Sequence, residues 1–275
     1  FVFMNYTIIV ENYFKFWVKH FSKNDNIKTI EHKNCKSYLI SGAKRSKTLI
    51  IQLHGGGYEG GMIFQYKILA NKLHSLTNFD VASLDYRFAP QKYPVALNDA
   101  LEAYQFYQLL YQEIIVIGDS AGGNLALVLG LKLKQLSLKL PKAMVLLSPW
   151  TDVESKGQSY KDNMYKDHFF SIDHNLPFSS ELFYKSIYFE DEKDLKNQFI
   201  SPINGEYEVF CPVLLQVGGD ECLLDDSKSL FEKVQHISGS KLHVFEGMFH
   251  VFPVLVPFTK ESKAAIEEIK EFMLQ

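Results

Sequence analysis

A chain of 275 residues, 47% hydrophobic and 22% charged, is long enough to bury one large core, and a single α/β domain carrying an insertion is the expected arrangement. Its net charge of −3, with Lys and Arg dispersed along the chain, supplies no basic stripe and excludes nucleic acid as an expected partner. Cys35, Cys211 and Cys222 are widely spaced, odd in number and form no C-x-x-C pair, which excludes a disulfide framework and a zinc site and suits a reducing, cytoplasmic setting.

The opening stretch, FVFMNYTIIVENYFKFWVKHF, is apolar, but Glu11, Lys15 and Lys19 interrupt it. It also lacks the basic start and small-residue cleavage site of a leader, and its spacing suits an amphipathic helix lying on an apolar surface. No stable membrane insertion is expected. Because the sequence opens on Phe1 with Met4 close behind, a missing or altered start is expected as well.

TIEHK and SYLISG read as short strands, followed by the stronger strand TLIIQL at 48–53. A Gly-rich loop then leads into a helical pattern through Ile63, Tyr66, Leu69, Ala70 and Leu73. FDVASLDY is the next strand, and PVALNDALEAYQFYQLL is a helix opened by Pro94. Strand 114–118, helix 121–135 and strands KAMVLLS and PVLLQVG come next, then helix DDSKSLFEKVQHI, strand KLHVFEG and a last helix from about 258. Such alternation implies right-handed crossovers and a mostly parallel sheet, with function gathered at the carboxyl ends of its strands. The aromatic-rich run from about 152 to 208 breaks the alternation and reads as a helical insertion over that edge.

Two glycine motifs carry the chemistry. In GDSAGG a strand gives way at once to a helix, which leaves Ser120 on a sharp, strained turn flanked by Gly118 and Gly122, its hydroxyl at the positive end of the helix. HGGGYEGG has two readings. Gly55, Gly57 and Gly60 satisfy G-x-G-x-x-G, with Asp85 placed as a ribose-binding acid, so an NAD-binding oxidoreductase is one reading. The other, favoured because two strands precede the loop and GDSAGG otherwise has no purpose, is a loop whose backbone N–H groups converge on a developing oxyanion.

A serine nucleophile needs a histidine base oriented by a carboxylate, in the chain order Ser, acid, His. His243 alternates within strand KLHVF, whereas His250 lies beyond the strand end and is the expected base. PVLLQVGGD delivers Asp220 as the expected acid after the preceding strand, with Glu221 an adjacent alternative; Asp225 and Asp226 look like first-turn helix acids.

The motifs HGGGY, LDYRFAPQKYPVALNDA, GDSAGGN, LSPWTD, VGGDECLLDDS and GMFHVF, in this order, resemble the hormone-sensitive-lipase-like family of α/β-hydrolase esterases from about residue 48 to the C-terminus. Within it they look most like the acetyl-hydrolase and monoterpene ε-lactone hydrolase branch. The resemblance implies a single α/β-hydrolase domain over 1–275, with a mostly parallel central sheet flanked by helices and a helical cap from about 1–25 and about 155–205. It implies Ser120, Asp220 and His250 as triad, the N–H groups of Gly56, Gly57 and Ala121 as oxyanion hole, and His54 as a loop-positioning residue. Tyr58, Phe169 and Phe183 are candidate pocket residues, with Phe170 and Tyr184 beside them. One departure is Gln91, where the family usually carries Glu, so neutral hydrogen bonding is expected there in place of an ion pair. The implied activity is hydrolysis of small to medium acyl esters or lactones through an acyl-enzyme, with no metal or organic cofactor, a small-molecule ester as partner and a homodimer as a candidate assembly. A non-catalytic ligand-binding protein on the same fold is the alternative.

Overall fold

The computed structural model describes residues 27–170 and 186–275. The amphipathic N-terminal helix expected before residue 26 and the pocket candidates Phe183 and Tyr184 therefore lie outside the described residues.

Eight strands form one sheet: β1 (Ile27–Glu31), β2 (Lys36–Ile40), β3 (Thr48–Leu53), β4 (Asp80–Asp85), β5 (Glu113–Asp119), β6 (Ala143–Leu147), β7 (Val213–Gly218) and β8 (Lys241–Phe245). Their spatial order is β1-β2-β4-β3-β5-β6-β7-β8. β2 pairs antiparallel with β1 and β4, and every pairing from β4 through β3 to β8 is parallel. The crossovers carry α1 (Phe64–Thr77), α2 (Val95–Gln108), α3 (Ala121–Gln135) and α5 (Leu224–Val234), and α7 (Lys260–Met273) closes the chain.

β3, β6 and β7 are buried at every position, as parallel strands covered on both faces must be. Successive side chains divide between two cores. Leu49, Ile51, Leu53, Val116 and Leu146 join Ala100, Tyr104, Leu125 and Leu129 from α2 and α3. Ile50, Ile115, Ile117, Val145 and Leu147 join Leu69 and Leu73 from α1 with Ile266 and Ile269 from α7. Helix α3 is buried almost all round, because Phe210 and the insertion cover the side away from the sheet; a Cβ on Gly130 would meet the Phe210 ring at 2.4 Å.

Residues 171–185 of the insertion lie outside the described residues. Its described residues hold one short helix, α4 (Ser159–Asp162), and 3₁₀ turns at Ile187–Phe189 and Pro202–Asn204. Side chains acting on backbone groups hold these segments in place. Asp226 Oδ2 accepts the N–H groups of Thr151 at 2.6 Å and Asp152 at 2.9 Å, and Asp225 Oδ2 accepts Ser159 N–H at 2.8 Å. Asp225 and Asp226 do stand in the first turn of α5, as expected, and their carboxylates staple the insertion to it.

Ile115 on β5 has no exposed surface, so Ile115→Ala is expected to cost about 2–5 kcal/mol, seen as a lower denaturant midpoint at unchanged slope.

Candidate active site

Ser120 joins β5 to α3 with φ 52° and ψ −119°, a backbone region that costs a non-glycine residue about 1–3 kcal/mol. Hydrogen bonds hold it there: its N–H donates to Leu147 O at 2.9 Å, and its carbonyl accepts from Trp150 N at 3.1 Å and Asn124 N at 3.0 Å. The flanking glycines are obligatory. A Cβ on Gly118 would lie 2.2 Å from Gly122 O, and one on Gly122 would lie 2.2 Å from Leu53 O.

The glycine loop after β3 is tied to this elbow through Asp119. Gly55 N–H donates to Tyr66 Oη at 2.8 Å and to Asp119 Oδ1 at 3.2 Å, while the Tyr66 hydroxyl donates to Asp119 Oδ2 at 2.9 Å. Burial pushes the Asp119 pKa up to about 7 against the opposing pull of these donors. Beyond Gly55 the chain reverses through Gly56 (φ 112°) and Gly57 (φ 65°), and Gly56 O accepts from Glu59 N and Gly60 N. The N–H groups of Gly56, Gly57 and Ala121 meet no hydrogen-bond acceptor among the described residues, and that of Ala121 opens α3.

His54 is buried, its Nδ1 lies 2.8 Å from Gly55 O, and its ring stacks on Tyr86 with centroids 4.1 Å apart. Burial lowers its pKa and keeps the imidazole neutral. The acid named by the dinucleotide reading, Asp85, is engaged by β2: its Oδ2 accepts from Tyr38 Oη at 3.4 Å and lies 3.7 Å from Lys36 Nζ. Tyr58 corrects the pocket expectation. It is buried, stacks on Tyr188 and donates its hydroxyl to Asn124 Oδ1 at 2.8 Å, which makes it a strut under the loop. Asn124 in turn donates to Trp150 O and Ile200 O and joins α3 to the insertion. Gln91 is exposed, and ion pairs nearby join Arg87 to Asp99 at 2.6 Å and Lys92 to Glu190.

His250 follows β8 at the same carboxyl edge of the sheet and is fully buried. Its Nδ1 lies 3.6 Å from Glu221 Oε1, within ion-pair reach but beyond a hydrogen bond, and neither atom has a hydrogen-bond partner among the described residues. The carboxylate facing the imidazole is therefore Glu221, the adjacent alternative to the expected Asp220. Asp220 is partly exposed, and its N–H donates to Met248 O at 3.0 Å, which leaves its neighbour Glu221 to turn inward. Glu221 Oε2 accepts from Ser148 Oγ at 2.7 Å and Gly218 N at 3.0 Å. Burial is the largest influence on His250 and opposes its charge, but Glu221, Asp167 and Asp119 together outweigh it, and the His250 pKa is raised. His243 remains a strand side chain, paired with Glu268 at 3.0 Å and stacked on Phe245.

Ser148 escaped the reading of the sequence. Besides serving Glu221, its Oγ accepts Val251 N–H at 3.1 Å and so links the acid to the residue after His250. The signal was the serine of LSPWTD, which carried the resemblance without receiving a role. Of the pocket candidates, Phe169 reaches the edge, 46% exposed with its ring 5.1 Å from that of His250, and Phe170 lies 4.8 Å away.

A family model described as the alpha/beta hydrolase fold matches residues 50–254. An esterase of Acinetobacter venetianus is 33% identical over 85% of this chain and 77% of its own, and an acetyl-hydrolase of Streptomyces hygroscopicus is 28% identical over 90% and 82%. The crystal structure of an esterase from the bacterial hormone-sensitive lipase family superposes with a TM-score of 0.80, at 28% identity, covering 90% of this chain and 84% of that one. The chain thus belongs to the α/β-hydrolase fold family, in its hormone-sensitive-lipase-like group, and is a hydrolase of the carboxylesterase/lipase type.

Proposed function

We propose that the protein cleaves small to medium acyl esters or lactones through an acyl-enzyme, with Ser120 as nucleophile, His250 as general base and Glu221, in place of Asp220, as the orienting acid. The observation that carries this reading is the buried approach of Glu221 Oε1 to His250 Nδ1, beside a serine held on a strained elbow at the same sheet edge. Ser120 Oγ attacks the ester carbonyl carbon while His250 takes its proton, and Glu221 stabilises the resulting imidazolium. The carbonyl oxygen gains negative charge and receives the N–H groups of Gly56, Gly57 and Ala121. Loss of one such donor typically costs on the order of 10² to 10³ in turnover. As the tetrahedral intermediate collapses, the C–O bond to the alcohol breaks and His250 returns the proton to the leaving oxygen. Water, deprotonated by the same imidazole, then releases the acid and regenerates Ser120. Phe169 and Phe170 form an apolar wall against the base and favour a compact acyl or alcohol group.

Turnover of p-nitrophenyl acetate and butyrate tests the reading. Ser120→Ala is expected to lower kcat about 10⁶-fold. Equal inertness of the wild type and this variant across a chain-length series of esters would instead favour a binding protein. Glu221→Gln and Asp220→Asn separate the two carboxylates: the first is expected to cost on the order of 10⁴ in kcat and the second to leave it near the wild-type value. The pH profile follows from the raised His250 pKa. Only neutral imidazole can accept the serine proton, so kcat/KM falls as the pH drops through that pKa, and the acid limb is expected to inflect above the ordinary histidine value of 6.5.

A further inference from the structure

The insertion after β6 reaches the acid–base pair through one buried side chain. Asp167 has no exposed surface. Its Oδ2 accepts the N–H of Cys222, the residue after Glu221, at 2.9 Å. Its Oδ1 accepts Phe169 N–H at 2.9 Å and, more weakly, Phe170 N–H at 3.4 Å, closing the turn whose two rings lie against His250. Two neighbours extend the seam: Asn163 Nδ2 donates to Gly219 O at 3.1 Å and to Glu221 O at 3.0 Å, and Ser159 Oγ donates to Cys222 O at 2.6 Å. The backbone on both sides of Glu221 is thereby gripped by side chains of the insertion.

We propose that Asp167 is a positioning residue for the hydrolytic reaction: its carboxylate seats the Glu221 turn with one oxygen and holds the Phe169–Phe170 wall on His250 with the other. This rests on the reading of Ser120, His250 and Glu221 as the catalytic set. The carboxylate geometry matters because each of its oxygens accepts from a backbone N–H, on opposite sides. An amide at this position can accept from only one side, and its NH₂ then faces an N–H, so either the acid turn or the aromatic turn is released.

Among the described residues, the charged groups that act on His250 are Glu221 after β7, Asp167 in the insertion and Asp119 at the end of β5, while Phe169 and Phe170 supply apolar cover. Two substitutions therefore shift the base in opposite directions. Asp167→Asn removes a negative charge that favours the imidazolium, and Phe169→Ala removes cover that disfavours it.

The test uses the whole protein with p-nitrophenyl butyrate, alongside circular dichroism and thermal unfolding to establish that each variant is folded. Folded Asp167→Asn is expected to lose on the order of 10- to 100-fold in kcat, the scale of a small misplacement of reacting groups, with the acid limb of kcat/KM moved to lower pH. Phe169→Ala is expected to move that limb to higher pH. A folded Asp167→Asn variant whose acid limb coincides with that of the wild type overturns the proposal, even if its kcat is reduced, because a merely structural role predicts that result. If Asp167→Asn does not fold, Phe169→Ala decides alone, and an unmoved limb overturns the proposal. A wild type no faster than Ser120→Ala removes the catalytic reading itself, and this inference with it.

Discussion

The constraint on which this site depends is the enclosure of an imidazole and a carboxylate side by side. His250 Nδ1 and Glu221 Oε1 are both buried and, among the described residues, without a hydrogen-bond partner, so either one charged alone would bear a heavy cost of desolvation. The surrounding chain reduces that cost on the carboxylate side. Ser148 and Gly218 satisfy Oε2, which leaves Oε1 directed at the ring. The imidazole then gains most from its partner in the state where it carries a proton.

Holding these groups together concentrates unusual backbone at one rim of the sheet. Ser120, Ser148 and Val251 all adopt positive φ, and for the β-branched Val251 that conformation is especially crowded. Each lies at or beyond the carboxyl end of a strand region, β5, β6 or β8. The parallel pairings through β7 impose the common edge that these residues leave. Ser148 connects two of these places, since one hydroxyl serves both the acid and the N–H of Val251.

Most of the framework could be read from the sequence because parallel strands and amphipathic helices leave strong periodic marks. TLIIQL at 48–53 and the helix at 121–135 appear with the expected bounds. Glycines announced the elbow, where crowding against Gly122 O and Leu53 O leaves no room for a side chain. Choosing between Asp220 and Glu221 was a different problem. Adjacent carboxylates after a strand look alike in one dimension, and the choice turned on a backbone bond to Met248 O from a segment far along the chain. The described parts of the insertion are hard to read for a related reason: carboxylates and amides there grip distant N–H and carbonyl groups, which leave no periodic trace. Tyr58 shows the same limit, because an aromatic ring beside a glycine loop can face a pocket or brace the loop from behind.

Helix α3 sets a further condition. It begins at the residue after Ser120 and is enclosed by the sheet, by Phe210 and, through Asn124, by the insertion. Local fraying needs a segment with little buried contact, and this segment has almost none to spare from the core. Opening the elbow consequently means dismantling the domain around it, so the geometry of the Ser120 hydroxyl persists for as long as the protein remains folded and disappears in the same cooperative event.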